Sequence, residues 1–137
     1  MDYKKNLIKG KNKIAVWGTG YIGLSNMVYF SKKKIKCIGY DIDKNKVKTI
    51  NNGKLPIQEL KDWFGFDIKS IVKSRYLTAT NNSKDLYDKR IVIHFIAIPT
   101  EKNGKPYFKI LFSVLKKIIK IILKNSEIKP MIIIEST

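Results

Sequence analysis

Three glycines and one acid, Gly18, Gly20, Gly23 and Asp41, have the types and the spacing to hold a diphosphate and a ribose. Gly18 permits a tight turn. Gly20 has no Cβ, so phosphate oxygens can come close to the backbone. Gly23 lets the next helix pack tightly on the strand before it. Tyr21 and Ile22 fall at the start of that helix, where free N–H groups and the positive end of the helix dipole suit an anion. Asp41 stands 18 positions beyond Gly23, near the offset of about 20 at which an acid accepts from ribose hydroxyls. Its charge would repel a 2′-phosphate, so the pattern favours NAD over NADP.

A Gly-x-Gly-x-x-Gly run alone is a weak signal; it gains weight from the elements around it. The apolar run 13–17 reads as a buried strand entering the turn, 21–32 as a helix, and 35–40 as a second strand ending at Asp41. Asp43 is placed to cap a helix over 44–52, which Gly53 stops. Pro56 makes 54–57 a loop. A helical stretch follows over 59–73, with Gly65 as its break. Residues 76–80 read as a short strand, 83–88 as a helical turn and 91–98 as the strongest strand of the chain, buried on both faces. Asn103-Gly104 marks a turn. The apolar spacing of 107–124 predicts a long amphipathic helix, and 131–134 a last buried strand. This alternation predicts an α/β, Rossmann-type doubly wound parallel sheet in a single domain, with right-handed crossovers and strand order 3-2-1-4-5.

The remaining residues with reactive side chains are read as structural. Cys37 is the only cysteine, so no disulfide framework or metal cluster is expected, and its place within a strand predicts core packing. His94 is the only histidine, set in the most apolar strand, and reads as a satisfied core residue. The chain has 137 residues, which suits one domain with a real core. Its formal charge is +17, yet of 28 basic residues only Arg75 and Arg90 are arginine. The lysines are spread along the chain, and abundant lysine, asparagine and isoleucine fit an AT-rich genome better than a nucleic-acid-binding patch. Lys116, Lys117, Lys120 and Lys124 read as a solvated face. Residues 1–12 form a basic leader expected to be mobile, without the apolar core of a signal peptide. Lysines interrupt the long apolar helix, which argues against a membrane span. These points favour a cytoplasmic protein with neither membrane nor nucleic acid as partner.

Several further stretches occur in order: Gly18 to Ser25, Gly39-Tyr40-Asp41-Ile42-Asp43, Asn51-Asn52-Gly53, Pro56-Ile57, Ala97-Ile98-Pro99-Thr100 and Glu135-Ser136-Thr137. Over residues 13–137 they resemble the N-terminal NAD-binding domain of the UDP-glucose/GDP-mannose dehydrogenase family. The resemblance implies an enzyme that oxidises the C6 alcohol of a nucleotide sugar to a carboxylate while reducing two NAD molecules. It implies that Asp41 and Lys46 hold the adenosine ribose and that Thr100 lines the cofactor pocket. It places Thr137 near the nicotinamide, where it would help position a catalytic water. The family's catalytic cysteine stretch, with its supporting lysine and asparagine, has no match here. The chain is therefore expected to be a fragment that binds NAD without completing the oxidation. The full-length family protein is expected to be a homodimer, and the fragment a monomer. The alternatives are a stand-alone NAD(H)-sensing module and a basic nucleic-acid-binding protein.

Overall fold

The computed structural model describes residues 2–135. The chain opens with α1 (Tyr3–Ile8), β1 (Lys13–Trp17), α2 (Tyr21–Lys32), β2 (Lys36–Tyr40) and α3 (Lys44–Asn51). It continues through α4 (Glu59–Phe64), α5 (Lys69–Lys73), β3 (Leu77–Thr80), a 3₁₀ turn (Ser83–Leu86) and β4 (Ile91–Ile96). A two-stranded hairpin, β5 (Glu101–Lys102) and β6 (Lys105–Pro106), precedes α6 (Lys109–Lys124) and β7 (Met131–Ile134).

The main sheet has five strands in the order β3-β2-β1-β4-β7, and every pairing in it is parallel. With β7 as the fifth sheet strand, this is the predicted order 3-2-1-4-5. Helices cover both faces. On one, Leu24, Met27, Ile50, Leu60 and Ile68 close a core under α2 to α5. On the other, Val114, Ile118 and Ile121 of α6 press on Ala15, Trp17 and Ile96. The strand order reverses beside β1, which pairs with β2 on one side and β4 on the other. A crevice at the carboxyl ends of the strands forms at such a reversal.

Local signals account for most boundaries. Asp43 caps α3 by accepting from the Asn45 and Lys46 amides, a device worth about 1 kcal/mol. Gly65 adopts φ +61° and separates α4 from α5. Asn103 and Gly104, both at positive φ, turn β5 into β6.

Two elements depart from expectation. The leader contains a helix: Asp2 caps α1 through the Lys5 amide, and Leu7 is buried in the core. Tyr3, Leu7 and Ile8 in a basic stretch of about one and a half turns give too faint a period to read. Strand β7 forms in the expected place but is not buried. Met131 is 59% exposed and Ile134 51%. An apolar run predicts pairing, but burial on both faces also needs covering layers, and β7 is the edge of the described sheet.

Candidate functional site

A cleft of about 660 Å³ opens at the carboxyl ends of β1, β2 and β4, a size suited to a small-molecule ligand. Its floor is the β1–α2 turn. Gly18, at φ +95°, donates its N–H to the Tyr40 carbonyl at 2.8 Å, and a Cβ there would overlap the Ala97 carbonyl oxygen. At Gly20 an added Cβ would meet nothing within 4 Å. The backbone is therefore bare beside the start of α2, whose first ladder bond runs from the Leu24 N–H to the Gly20 carbonyl. The N–H groups before that bond have no partner within the helix. An open cradle and unpaired donors fit a diphosphate.

Asp41 sits where β2 ends, and the turn holds it. Its Oδ2 accepts from the Thr19 amide at 3.0 Å and the Thr19 hydroxyl at 2.6 Å, while Oδ1 accepts from the Asp43 amide at 3.0 Å. The Lys46 ammonium lies 3.9 Å from Oδ2. Burial alone would push the carboxyl up. The Thr19 hydroxyl, the Asp43 and Thr19 amides and the Lys46 charge outweigh it and hold Asp41 below the usual carboxylate range. The carboxylate is thus ionised and fixed in advance. Of its roughly four acceptor positions three are engaged, which leaves Oδ1 able to take a further hydroxyl.

Of the residues expected at a cofactor, Gly18, Gly20, Tyr21, Ile22, Asp41 and Lys46 line this one cleft. Gly23 lies beneath it, with its Cα against the Gly18 carbonyl. Thr100 does not line it; its carbonyl accepts from the Tyr107 N–H at 2.7 Å, at the base of the hairpin. Thr137 lies outside the described residues. Sequence reasoning passed over Thr19, whose clamp on Asp41 spans 22 positions. It also gave no role to Glu135, which lines the cleft and accepts from the Asn26 side-chain amide of α2.

The core residues behave differently. Cys37 is buried and its thiol is pushed up to about 12 by desolvation, against a weak opposing bond to Ser31. No thiolate forms near neutral pH. His94 accepts from the Trp17 indole N–H through Nδ1 at 3.2 Å, which leaves the proton on Nε2, an atom without a partner among the described residues. The expectation of a satisfied histidine is met at one nitrogen only. Burial pushes its pKa from 6.5 down to about 4. The unfolded chain therefore takes up this proton first, and stability is full above pH 6.5 and falls as pH drops toward 4. We expect a loss of about 3 kcal/mol across that window, read from urea midpoints at several pH values. Flat midpoints would show that His94 protonates as freely in the fold as outside it.

Among the described residues, no three His, Cys, Asp or Glu side chains gather to hold a metal ion. Nor is any described helix long and apolar enough to cross a membrane.

The family model for the NAD binding domain of the UDP-glucose/GDP-mannose dehydrogenase family matches residues 12–137. The UDP-N-acetyl-D-mannosamine dehydrogenase of Campylobacter jejuni is 37% identical over 131 residues, covering 92% of this chain and 29% of the relative. The UDP-glucose 6-dehydrogenase of Campylobacter jejuni is also 37% identical, over 129 residues, covering 91% and 30%. A solved ternary complex of GDP-mannose dehydrogenase from Pseudomonas aeruginosa superposes with TM-score 0.77 at 26% identity, covering 91% of this chain and 28% of that one. The chain thus spans less than a third of the length of these relatives.

Proposed function

This chain belongs to the UDP-glucose/GDP-mannose dehydrogenase family, whose NAD-binding domain it carries, and from that premise we propose that it is the cofactor-holding part of a nucleotide-sugar 6-dehydrogenase. The cofactor of the domain is NAD. The observation that carries the reading is the pairing, in one cleft, of the bare backbone at Gly20 with the pre-fixed carboxylate of Asp41.

In this reading the Gly18–Gly23 turn and the first N–H groups of α2, at Tyr21 and Ile22, hold the diphosphate. Asp41 accepts from the adenosine ribose, and Lys46 tempers its charge. By resemblance alone, Thr137 is assigned a place near the nicotinamide, where it would help position a catalytic water, and Thr100 a contact with the bound cofactor that the lining of the cleft does not include. Bound NAD supplies the hydride acceptor. Conversion of a C6 alcohol to a carboxylate removes two hydrides in succession, and water supplies the second carboxylate oxygen. The side chains of the cleft contribute orientation and charge. Cys37 is too deeply buried and too weakly acidic to act as a nucleophile. The 137 residues by themselves are therefore proposed to bind NAD without completing the oxidation. A nucleotide sugar as substrate and a homodimer of the full-length enzyme belong to the same proposal.

The test is a fluorescence titration with NADH and NADPH on the parent chain and on Asp41→Ala. The parent is expected to saturate and to prefer NADH. The variant should bind NADH about tenfold more weakly, since it loses a charge-assisted hydrogen bond of roughly 1.5–3 kcal/mol. Its discrimination against NADPH should narrow, because the repelling charge is gone. An unchanged affinity and preference in the variant would take Asp41 out of the ribose role. Absence of saturable binding by the folded parent would sink the reading as a whole.

A further inference from the structure

The cleft carries an acid on each side of the turn. Asp41 closes β2, and Glu135 follows β7. The Glu135 N–H donates to the Ile96 carbonyl at 2.9 Å, which extends the β4–β7 ladder and sets its Cα. Its Oε2 accepts from the Asn26 amide, which sets the side chain and leaves Oε1 able to accept. The tie joins the first helix after the turn to the far edge of the sheet, across 109 positions.

A dinucleotide in a doubly wound sheet has its diphosphate on the helix that follows β1 and its adenosine ribose toward the acid that closes β2. The other half must run the opposite way, over β4 and toward β7, where Glu135 stands. That half contains the ring that changes charge: oxidised nicotinamide is a pyridinium cation, and reduced nicotinamide is neutral. We propose that Glu135, oriented by Asn26, is a specificity-determining residue that makes this cleft favour the oxidised dinucleotide over the reduced one. The inference rests on the NAD reading above and adds to it a preference for redox state. A carboxylate attracts the pyridinium and has no such attraction for the neutral ring. Diphosphate, riboses and adenine are the same in both forms, so their contributions cancel in the ratio of the two affinities. A cofactor held this way also loses attraction at the moment it is reduced, which favours release of the product form.

The test measures dissociation constants for NAD by calorimetry and for NADH by fluorescence, in the parent and three variants. Glu135→Gln removes the charge but keeps an oxygen to accept from Asn26, and the exposed position tolerates the change. Glu101→Gln removes the other carboxylate on that side of the cleft, from the hairpin. Glu127→Gln removes an equal charge at an exposed position outside the cleft. The ratio of the NADH to the NAD dissociation constant is expected to fall about tenfold in Glu135→Gln and to hold in the other two. If melting shows that Glu135→Gln is unfolded, Glu135→Ala takes its place with the same expected fall. An unchanged ratio in a folded Glu135 variant overturns the proposal, as does an equal fall in either control. Binding of neither form by the parent overturns the NAD reading first and this proposal with it, whereas tight binding with an unmoved ratio overturns this proposal alone.

Discussion

Gly20→Val is expected to lose dinucleotide binding by a hundredfold or more, about 2.7 kcal/mol, in a chain that still melts close to the parent. Both halves of the expectation come from the same position. The backbone at Gly20 is extended, at φ −75° and ψ −162°, a conformation open to any residue. A Cβ there meets nothing within 4 Å, so the protein has room for valine. Valine is a poorer helix cap than glycine, a penalty of under about 1 kcal/mol. The open volume lies beside the first N–H groups of α2, where a diphosphate would have to approach. A branched side chain would fill it and hold phosphate oxygens out of hydrogen-bonding range. NADH titration with a parallel thermal melt checks both halves. A folded variant that binds as the parent does would mean that the turn serves the fold alone.

Gly23→Ala should fail in the opposite way, through stability. A Cβ at Gly23 would overlap the Gly18 carbonyl oxygen, and Val16 Cγ1 stands only 3.2 Å away. The overlapped atom is backbone, so no rotamer change relieves it. Helix α2 would have to lift off β1, with Leu24, Met27 and Val28 leaving their places in the core. Forced overpacking of this kind costs about 3 kcal/mol, and more where backbone must move. The urea midpoint is the measurement. A midpoint equal to the parent's would show that the turn can widen at little expense, and that close contact at Gly23 is not what sets the helix. Two glycines three positions apart in one motif are thus expected to separate cleanly, one acting on the ligand and the other on the fold.

What could be read from the sequence was local. The turn, the cap at Asp43, the break at Gly65 and the alternation of strands and helices each rest on neighbouring residues, and the strand order follows from that alternation. The acid at Asp41 was legible because its distance from the glycines is set by the length of one helix and one strand. The clamp from Thr19 was not, since a threonine between two glycines gives no sign of turning inward to a carboxylate 22 positions away. The Asn26–Glu135 tie was hidden for the same reason, at a longer range. Thr100 was placed in the pocket by resemblance, and the hairpin that draws its backbone toward Tyr107 could not be foreseen from a turn signal alone. The misjudged burial of β7 came from treating composition as position. Isoleucines announce a strand, but only the neighbouring layers decide whether it is covered.

That uncovered strand bears on the behaviour of the chain in solution. β7 presents Met131, Ile132, Ile133 and Ile134 in a row at the sheet edge, with three of the four exposed. Its outer side carries backbone donors and acceptors that no strand among the described residues pairs. An exposed apolar edge of this kind is a template for strand-to-strand assembly between copies. Opposing it is the formal charge of +17, which keeps like molecules apart only over the Debye length. At about 0.1 M salt that length is roughly 10 Å, and it shrinks as salt rises. The colloidal stability of the isolated 137 residues is therefore electrostatic, and added salt brings the sticky edges within reach of one another.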